Sequence, residues 1–403
     1  MILNNGIAKT WFSALMLFGG MSSAIADDTS DNFNFSGFSR VVAGVLDDNN
    51  ATYQGYDNSV SFGQGSLLGL QADLRLNDKF SITTQLLAHS SDDRNSGIEW
   101  LYATYQPNKS LRFKAGRMRT PFFIYSDVID VGFAYPWISP PQQVYKAYLF
   151  DYFDGVIASY ELSAPDFSAE LEVYYGAYDD LINNSSLEEV TAKTSNLRGI
   201  ALNIRGEKIQ ARISSNKGGV DIDFPELRGF SDILRSANYN LTADSLITSG
   251  DAEVNQIGIS YDELNYFYKA EFITISSPIL VVPDIDSYYL TAGYMVYPFT
   301  FHATYANNTS KYAPAVVEIP TGLAPEVDAL AAGYAQIYDN LENDTVKSLT
   351  LGVRWDFRID MALKAEVTHL RGEQGARSFF NITNPAEFDY RANLVQVAWE
   401  WVF

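Results

Sequence analysis

The chain contains no cysteine among its 403 residues. A protein without cysteine has neither disulfide bonds nor thiolate metal sites, so its stability depends on hydrogen bonding and burial. Basic residues are also scarce, since 28 Lys and Arg stand against 49 Asp and Glu, and the formal net charge is −21. This acidity argues against nucleic acid as a partner, because nucleic-acid-binding proteins present a basic surface.

Motifs of catalysis and of cofactor binding are missing as well. The three histidines, His89, His302 and His369, lie far apart, and the sequence has neither a His-Glu-x-x-His nor a Gly-x-Ser-x-Gly motif. A phosphate-binding loop and a cluster of metal-ligating residues are also absent. We therefore expect no catalytic residues, no metal site and no cofactor, and we interpret the protein as something other than an enzyme.

Residues 1–26 have the features of an export signal. Lys9 supplies a positive charge, a short apolar stretch follows, and Ala24-Ile25-Ala26 forms a small-residue cleavage site. The alternative is an N-terminal membrane anchor, but two glycines interrupt this short apolar stretch. We expect cleavage before Asp27, which leaves residues 27–403 as one domain. No later segment reaches the roughly 18 consecutive apolar residues of a membrane-spanning helix.

What the rest of the sequence contains is a series of segments in which apolar and polar residues alternate. In residues 66–76, for example, every second residue is apolar and most of those between are polar. Period-two alternation indicates β-strands. The connections between the segments alternate between very short and long, which is typical of membrane barrels with short periplasmic turns and long external loops.

The series contains sixteen strands, beginning at Phe33. The sequence therefore predicts an all-β fold, a transmembrane antiparallel β-barrel whose even strand number leaves both termini in the periplasm. A soluble β-sandwich is the alternative, but it gives no reason for the long connections to gather at one end. A barrel of this size is wide enough to hold an aqueous channel.

The last predicted strand has an uninterrupted apolar face. The residues of that face are Val395, Val397, Trp399, Trp401 and Phe403. The pattern resembles the terminal strand of bacterial outer-membrane proteins, in which a final Phe preceded by alternate apolar residues is recognised by the barrel-assembly machinery. The resemblance implies that Phe403, Trp401 and Trp399 form an assembly signal.

Export signal, terminal strand and strand number together resemble the trimeric porins of Gram-negative outer membranes, over residues 27–403. The resemblance implies a homotrimer in the outer membrane, in contact with lipid and lipopolysaccharide, through which small hydrophilic solutes pass. Two features depart from the family. The chain lacks the Pro-Glu-Phe-Gly-Gly-Asp run of enterobacterial general porins, and the second loop, residues 90–97, is short for a latch onto a neighbouring subunit.

In that family the third external loop folds back into the lumen. Here the fifth predicted strand ends in Gly116-Arg117, similar to the Gly-Arg ending common before that loop, and the connection from Arg119 to about Phe150 is long. The loop is unusually apolar for a solvent-facing segment. We therefore expect its aromatic side chains to pack against the inner barrel wall. The alternative is that they stand at the external rim against lipopolysaccharide or a neighbour.

The same loop carries Tyr125, Asp127 and Asp130, and we expect these residues to form a pore constriction. Cations expected to face the lumen lie early in the chain, at Arg40, Arg75, Arg112 and Lys114. Loop carboxylates opposite wall cations would create a transverse field that orients dipolar solutes, since rows of charge set ion preference in channels. The alternative is that the wall cations are solvated and paired with Asp73 or Glu99.

The leading functional hypothesis is passive diffusion of small hydrophilic solutes and ions through a water-filled porin. A substrate-specific channel, for anions such as phosphate or for sugars, is the first alternative. A structural protein or adhesin with a plugged lumen is the second.

Overall fold

The computed structural model describes residues 32–91, 96–146, 150, 152–181, 191–341 and 343–403. The described residues form a closed barrel of sixteen strands, each pairing antiparallel with its neighbours along the chain, and the last strand pairs with the first. The predicted sixteen-stranded antiparallel barrel is confirmed. The predicted export signal, residues 1–26, lies outside the described residues, as does the middle of the second loop.

We number the barrel strands β1 to β16 in chain order. They are β1 Phe33–Leu46, β2 Leu67–Asn77, β3 Phe80–His89, β4 Gly97–Tyr105, β5 Leu111–Arg119, β6 Tyr152–Ser163, β7 Phe167–Leu181, β8 Thr191–Gly206, β9 Ile209–Ile222, β10 Ser249–Asp262, β11 Tyr266–Ser276, β12 Asp284–Val296, β13 Phe299–Lys311, β14 Val346–Arg358, β15 Met361–Gly372 and β16 Arg391–Val402. Connections of a few residues alternate with long ones, so the long loops gather at one end of the barrel.

The alternation in sequence separates an apolar outer face from a polar inner one. On β15, Lys364 and Glu366 are buried on the inner face while Val367 is exposed on the outer face. Outward side chains elsewhere are also large and apolar, as in Leu290 and Leu351, which are 55% and 57% exposed. Removing apolar area from water contributes about 25 cal/mol per Å². A continuous apolar belt of this kind is therefore stable only in lipid, as expected of a transmembrane barrel.

The barrel closes at the seam between β1 and β16. Gly37 and Phe403 exchange two backbone hydrogen bonds, of 2.8 and 2.9 Å. The Phe403 ring lies where a Cβ atom at Gly37 would be, so a side chain at position 37 would push the ring away. The ring also packs 4.4 Å from that of Trp401. The aromatic end of the chain thus covers the seam and completes its hydrogen bonding.

Deleting Phe403 should lower the amount of assembled barrel. The deletion removes both backbone hydrogen bonds to Gly37 and uncovers the seam, which leaves polar groups unpaired in lipid. The measurement is the heat-modifiable barrel band in outer-membrane fractions at native expression. Phe301→Ala, which shortens an outward side chain on β13 far from the seam, is the control. Equal levels for the two variants would remove Phe403 from closure and assembly.

Helices occur only in the external loops of the described chain. They are α1 Gln142–Tyr145, α2 Pro225–Ser236, α3 Asn240–Asp244 and α4 Pro325–Asp339, with 3-10 turns at Ser126–Val128 and Gly132–Ala134. In the described part of the chain, none of these helices has both the length and the apolar character needed to cross a membrane. Their presence was not predicted from the sequence.

The helices α2, α3 and α4 of the fifth and seventh external loops pack together, and we call them the external cap. They share a small apolar core that includes Leu234, Leu246 and Tyr334. Glu318 accepts hydrogen bonds from the backbone N–H groups of Leu241 and Thr242 at the start of α3, at 2.6 and 3.0 Å. These bonds join the fifth and seventh external loops.

The first and eighth external loops meet beside this cap. A three-residue strand, Ala51–Tyr53, pairs antiparallel with a second, Phe380–Ile382. The rings of Tyr53 and Phe380 lie 5.4 Å apart, and both side chains are buried.

Candidate functional site

The third external loop joins β5 to β6, and its described residues, 120–146 and 150, lie inside the barrel. Its described residues hydrogen-bond to inward side chains on six strands of the wall. These wall residues are Arg40 on β1, Arg212 and Ser214 on β9, Glu271 on β11, Thr304 on β13, Arg354 on β14, and Lys364 and Glu366 on β15. Because β1 and β9 stand on opposite sides of the closed barrel, the loop crosses the lumen from wall to wall.

Glu271 anchors the loop to β11. Its carboxylate accepts one hydrogen bond from the backbone N–H of Ile124 at 2.9 Å and another from the hydroxyl of Tyr145 at 2.6 Å. Burial raises the pKa of Tyr145 well above its usual range, so the hydroxyl stays protonated and donates. One wall carboxylate thus ties together two parts of the loop that are distant in sequence.

Lys364 anchors the loop to β15. Its ammonium group donates to the backbone carbonyls of Gly132, Tyr135 and Trp137, at 2.8, 2.9 and 2.6 Å. It also forms an ion pair of 2.9 Å with Glu400, and the two side chains are 0% and 2% exposed. A Cβ atom at Gly132 would collide with the Glu400 carboxylate, so glycine permits this close approach. A buried cation that is fully satisfied in this way fixes the loop backbone.

Aromatic side chains form the dry centre of the loop. Trp137 is 1% exposed, donates from Nε1 to the hydroxyl of Thr304 at 2.8 Å, and meets the rings of Tyr125 and Tyr289 edge to face, each at 5.5 Å. Each buried aromatic side chain contributes about 1.5–3 kcal/mol. The aromatic residues that were unusual for an external loop are thus packed against the inner wall.

Charged residues fasten the other side of the loop to β1, β4 and β5. Asp130 pairs with Arg119, which also lies 3.2 Å from Glu99, and all three side chains are buried. Arg40 donates to the backbone carbonyl of Ile138 at 2.7 Å and to the Tyr135 hydroxyl at 3.3 Å. These groups hold the loop in place. The cation that pairs with Asp130 is Arg119, which was not among the wall cations expected from the sequence.

The remaining predicted site residues lie around a more open part of the lumen. Asp127 is exposed. Asp127, Lys114 and Arg212 all lie close enough to Glu172 on β7 for their charges to act on its carboxylate. The ammonium group of Lys114 lies 5.0 Å from the centre of the Tyr102 ring. These groups form a mixed-charge cluster where the loop faces the periplasmic half of the barrel.

Arg112 and Arg75 complete the predicted set. Arg112 forms an ion pair with Glu170 on the neighbouring inner wall, so it is paired with the wall and not with the loop. Arg75 is exposed on β2. The predicted constriction therefore divides into several groups. Arg40 and Asp130 anchor the loop, Tyr125 packs in its aromatic centre, and Arg112 pairs with the wall. Arg75, Lys114 and Asp127 are the remaining charges of the lumen.

Several residues that hold the loop were not predicted as site residues. They are Glu99, Arg119, Arg212, Glu271, Arg354, Lys364, Glu366 and Glu400. Glu271, Lys364 and Glu366 occupy the polar positions of their alternating strands, which are the positions that face the lumen. A charge in the middle of such an inner face could have indicated a contact with the long apolar loop. Within the described residues, no group of three or more His, Cys, Asp or Glu is arranged to hold a metal ion.

His302 lies inside the barrel, as its position on β13 predicted. It is buried, and its Nε2 lies 3.3 Å from a carboxylate oxygen of Glu366. The same oxygen accepts a hydrogen bond from the backbone N–H of Ile138 at 2.8 Å. His302 thus supports the wall beneath the loop.

Comparison with known proteins shows what this architecture resembles. Neither a protein-family model nor a curated relative matches the sequence. Among solved structures, OmpF of Salmonella typhi in complex with daunomycin has a TM-score of 0.56 at 11% identity, covering 92% of this chain and 98% of that one. The anion-selective porin from Comamonas acidovorans has a TM-score of 0.55 at 12% identity, covering 92% and 99%. OmpT of Vibrio cholerae, in its trimer form, has a TM-score of 0.53 at 12% identity, with the same coverage. At such low identity the likeness concerns the fold, and the chain shares the barrel fold of these porins.

Proposed function

We propose that the protein is an outer-membrane channel through which small hydrophilic solutes and ions diffuse passively, with its narrowest part formed by the third loop. The observation that carries the proposal is a long loop held inside a sixteen-strand barrel with an apolar exterior and a polar interior. A barrel with this strand number encloses more space than side chains alone can fill. We propose no catalytic residue, because the inward polar groups are used to hold the loop and to line the lumen.

The breadth of the loop contacts favours a narrow channel. The loop reaches Arg40 on β1 and Arg212 on β9, on opposite walls, so open space is confined to either side of its aromatic centre. This observation favours the first alternative to general diffusion, a channel that selects its solutes. It distinguishes the protein from a barrel with a wide unobstructed lumen.

Planar-bilayer recording of the purified protein tests the proposal. Conductance that rises linearly with salt is the expected result for general diffusion, whereas saturation by one solute identifies a selective channel. A protein that inserts into the bilayer and carries no current would overturn the proposed channel and favour a structural or adhesive role.

Reversing charge in the open part of the lumen should shift ion selectivity towards cations. Lys114→Glu and Arg75→Glu each replace a lumen cation with an acid, and Lys114 lies beside the acidic Asp127 and Glu172. The control is Glu326→Lys at the start of α4, because bulk salt screens exposed charges beyond about 8–10 Å. Reversal potentials in asymmetric salt measure the effect. If the loop control moves the reversal potential as far as the lumen variants, the selectivity is set outside the barrel.

We further propose that residues 27–403 form the mature domain and assemble as a homotrimer in contact with lipid and lipopolysaccharide. The outer face of β1 is smooth, with Val41, Ala43 and Val45, and one of the similar solved structures is described in trimer form. Light scattering in mild detergent, corrected for bound detergent, should give the mass of three chains. A monomeric mass would overturn the trimer and leave the channel proposal standing.

A further inference from the structure

A small cavity of about 40 Å³, open towards the lumen, lies on the external side of the third loop, between that loop, the first external loop and the wall of β13 to β16. The hydrogen-bonding side chains around it are mainly neutral amides and hydroxyls. They include Gln54, Gln142, Ser348, Thr350, Thr368 and Gln396. Among the described residues, no lysine, arginine or histidine lines the cavity, although the formal net charge of the chain is −21.

The hydroxyl groups belong to an ordered row on the inner wall. Thr291, Thr304, Thr350 and Thr368 are register neighbours on β12, β13, β14 and β15. The hydroxyls of Thr291 and Thr304 lie 2.8 Å apart, and those of Thr350 and Thr368 lie 2.9 Å apart. The hydroxyl of Thr304 accepts a hydrogen bond from Trp137 of the loop. Thr350 and Thr368, in contrast, are partly exposed and face the cavity.

The carboxylate among the lining residues, Glu366, is already engaged. It accepts the backbone N–H of Ile138 at 2.8 Å and lies 3.3 Å from His302, and its side chain is 6% exposed. The Glu366 carboxylate therefore binds the loop backbone and the neighbouring wall residue His302. A ligand in the cavity meets the neutral side chains first.

Neutral amides and hydroxyls match one class of solute. Each glutamine amide and each serine or threonine hydroxyl both donates and accepts hydrogen bonds, as does the hydroxyl group of a sugar. An anion or a cation in the same place would lose hydration without an opposite charge to replace it. Ligand sites of this kind place a few polar groups that fix orientation in a concave wall.

We propose that this cavity receives the hydroxyl groups along one edge of a small neutral polyhydroxylated solute, namely a sugar or sugar alcohol, while the rest of the solute stays in the open lumen on the external side. The inference rests on the proposed channel function for its role in transport, and on the cavity itself for binding. On the periplasmic side of the loop the solute meets a different surface, where Arg112, Lys114, Glu170 and Glu172 are charged. Recognition of neutral solutes is thus confined to the external half of the lumen.

Calorimetric titration of the detergent-solubilised barrel with three sugars of equal size tests the site directly. Glucose is neutral, glucuronate is an anion and glucosamine is a cation. We expect measurable binding of glucose and much weaker binding of the two charged sugars. Absence of glucose binding, or equal binding of all three, would overturn the proposal.

Variants locate the site within the lumen. The double variant Thr350→Val with Thr368→Val removes both hydroxyls at nearly constant shape, and it should weaken glucose binding about tenfold, since each lost hydrogen bond counts by a factor of a few. Thr300→Val, inward on β13 near its periplasmic end, is the matched control and should bind glucose normally. Gln396→Met is a second cavity variant in case the double variant assembles poorly. Unchanged affinity in correctly assembled cavity variants would overturn the assignment.

Bilayer recording separates this inference from the channel proposal. Glucose added on the external side should block the current saturably, and the block should weaken in the threonine double variant. A protein that conducts but binds no glucose overturns the sugar site alone. A protein that binds glucose but carries no current overturns the channel and leaves the sugar site in place.

Discussion

Replacing residues 126–135 with a short Gly-Ser linker should raise the single-channel conductance several-fold. The replacement removes both 3-10 turns of the third loop, together with Asp130 and Tyr135. The flanking anchors remain, since Ile124 still donates to Glu271 and Trp137 to Thr304. Ile138 also keeps its hydrogen bond to Arg40 on β1. The part that is lost carries Gly132 and Phe133, whose carbonyls accept hydrogen bonds from Lys364 and Arg354.

A matched control separates an effect on the constriction from a general effect of loop shortening. The same linker in place of residues 326–335 removes part of α4 in the external cap, which lies outside the barrel strands. We expect this control to change conductance much less. Unchanged conductance in the third-loop variant, with the barrel correctly assembled, would mean that the loop does not limit the flow.

Substituting Lys364→Met should release the third loop and destabilise the barrel interior. The substitution leaves the buried Glu400 carboxylate without its cation and removes the donor to three loop carbonyls. Removing one partner of a buried ion pair costs about 3–5 kcal/mol. The expected results are a lower midpoint of thermal unfolding in detergent and faster proteolytic cleavage within the loop. Lys347→Met, on the exposed face of β14, should change neither quantity.

The companion variant Lys364→Met with Glu400→Gln tests the physical reason. Neutralising Glu400 removes the unpaired buried charge, so most of the lost stability should return. The loop should nevertheless stay protease-sensitive, because its three carbonyls still lack their donor. If the double variant is no more stable than Lys364→Met, the ion pair is not the source of the loss.

The predicted barrel depended on features that are local in the chain. Alternation along a strand such as β15 decides which side chains face inward, because successive residues in a strand point to opposite faces. Turn length decides which strands become neighbours, so the order and number of strands also followed from the sequence. The aromatic character of the third loop is also a local feature. It indicated burial because exposing aromatic side chains to water is unfavourable.

The helices of the external cap were missed although a local indication existed. Pro325 stands at the start of α4, and Glu326 and Asp328 lie in its first turn, a pattern that favours the beginning of a helix. What no local pattern shows is the packing partner, because Tyr334 of α4 contacts residues of the fifth loop that are almost a hundred positions earlier.

The sequence by itself determined the fold class, the inward faces and the apolar third loop. Only the tertiary structure decided that Asp130 pairs with Arg119 and that Lys364 holds the carbonyls of Gly132, Tyr135 and Trp137. Lys364 and these carbonyls are more than two hundred residues apart in the chain. Barrel closure brings them together, and a periodicity of two residues contains no information about which groups meet across the lumen.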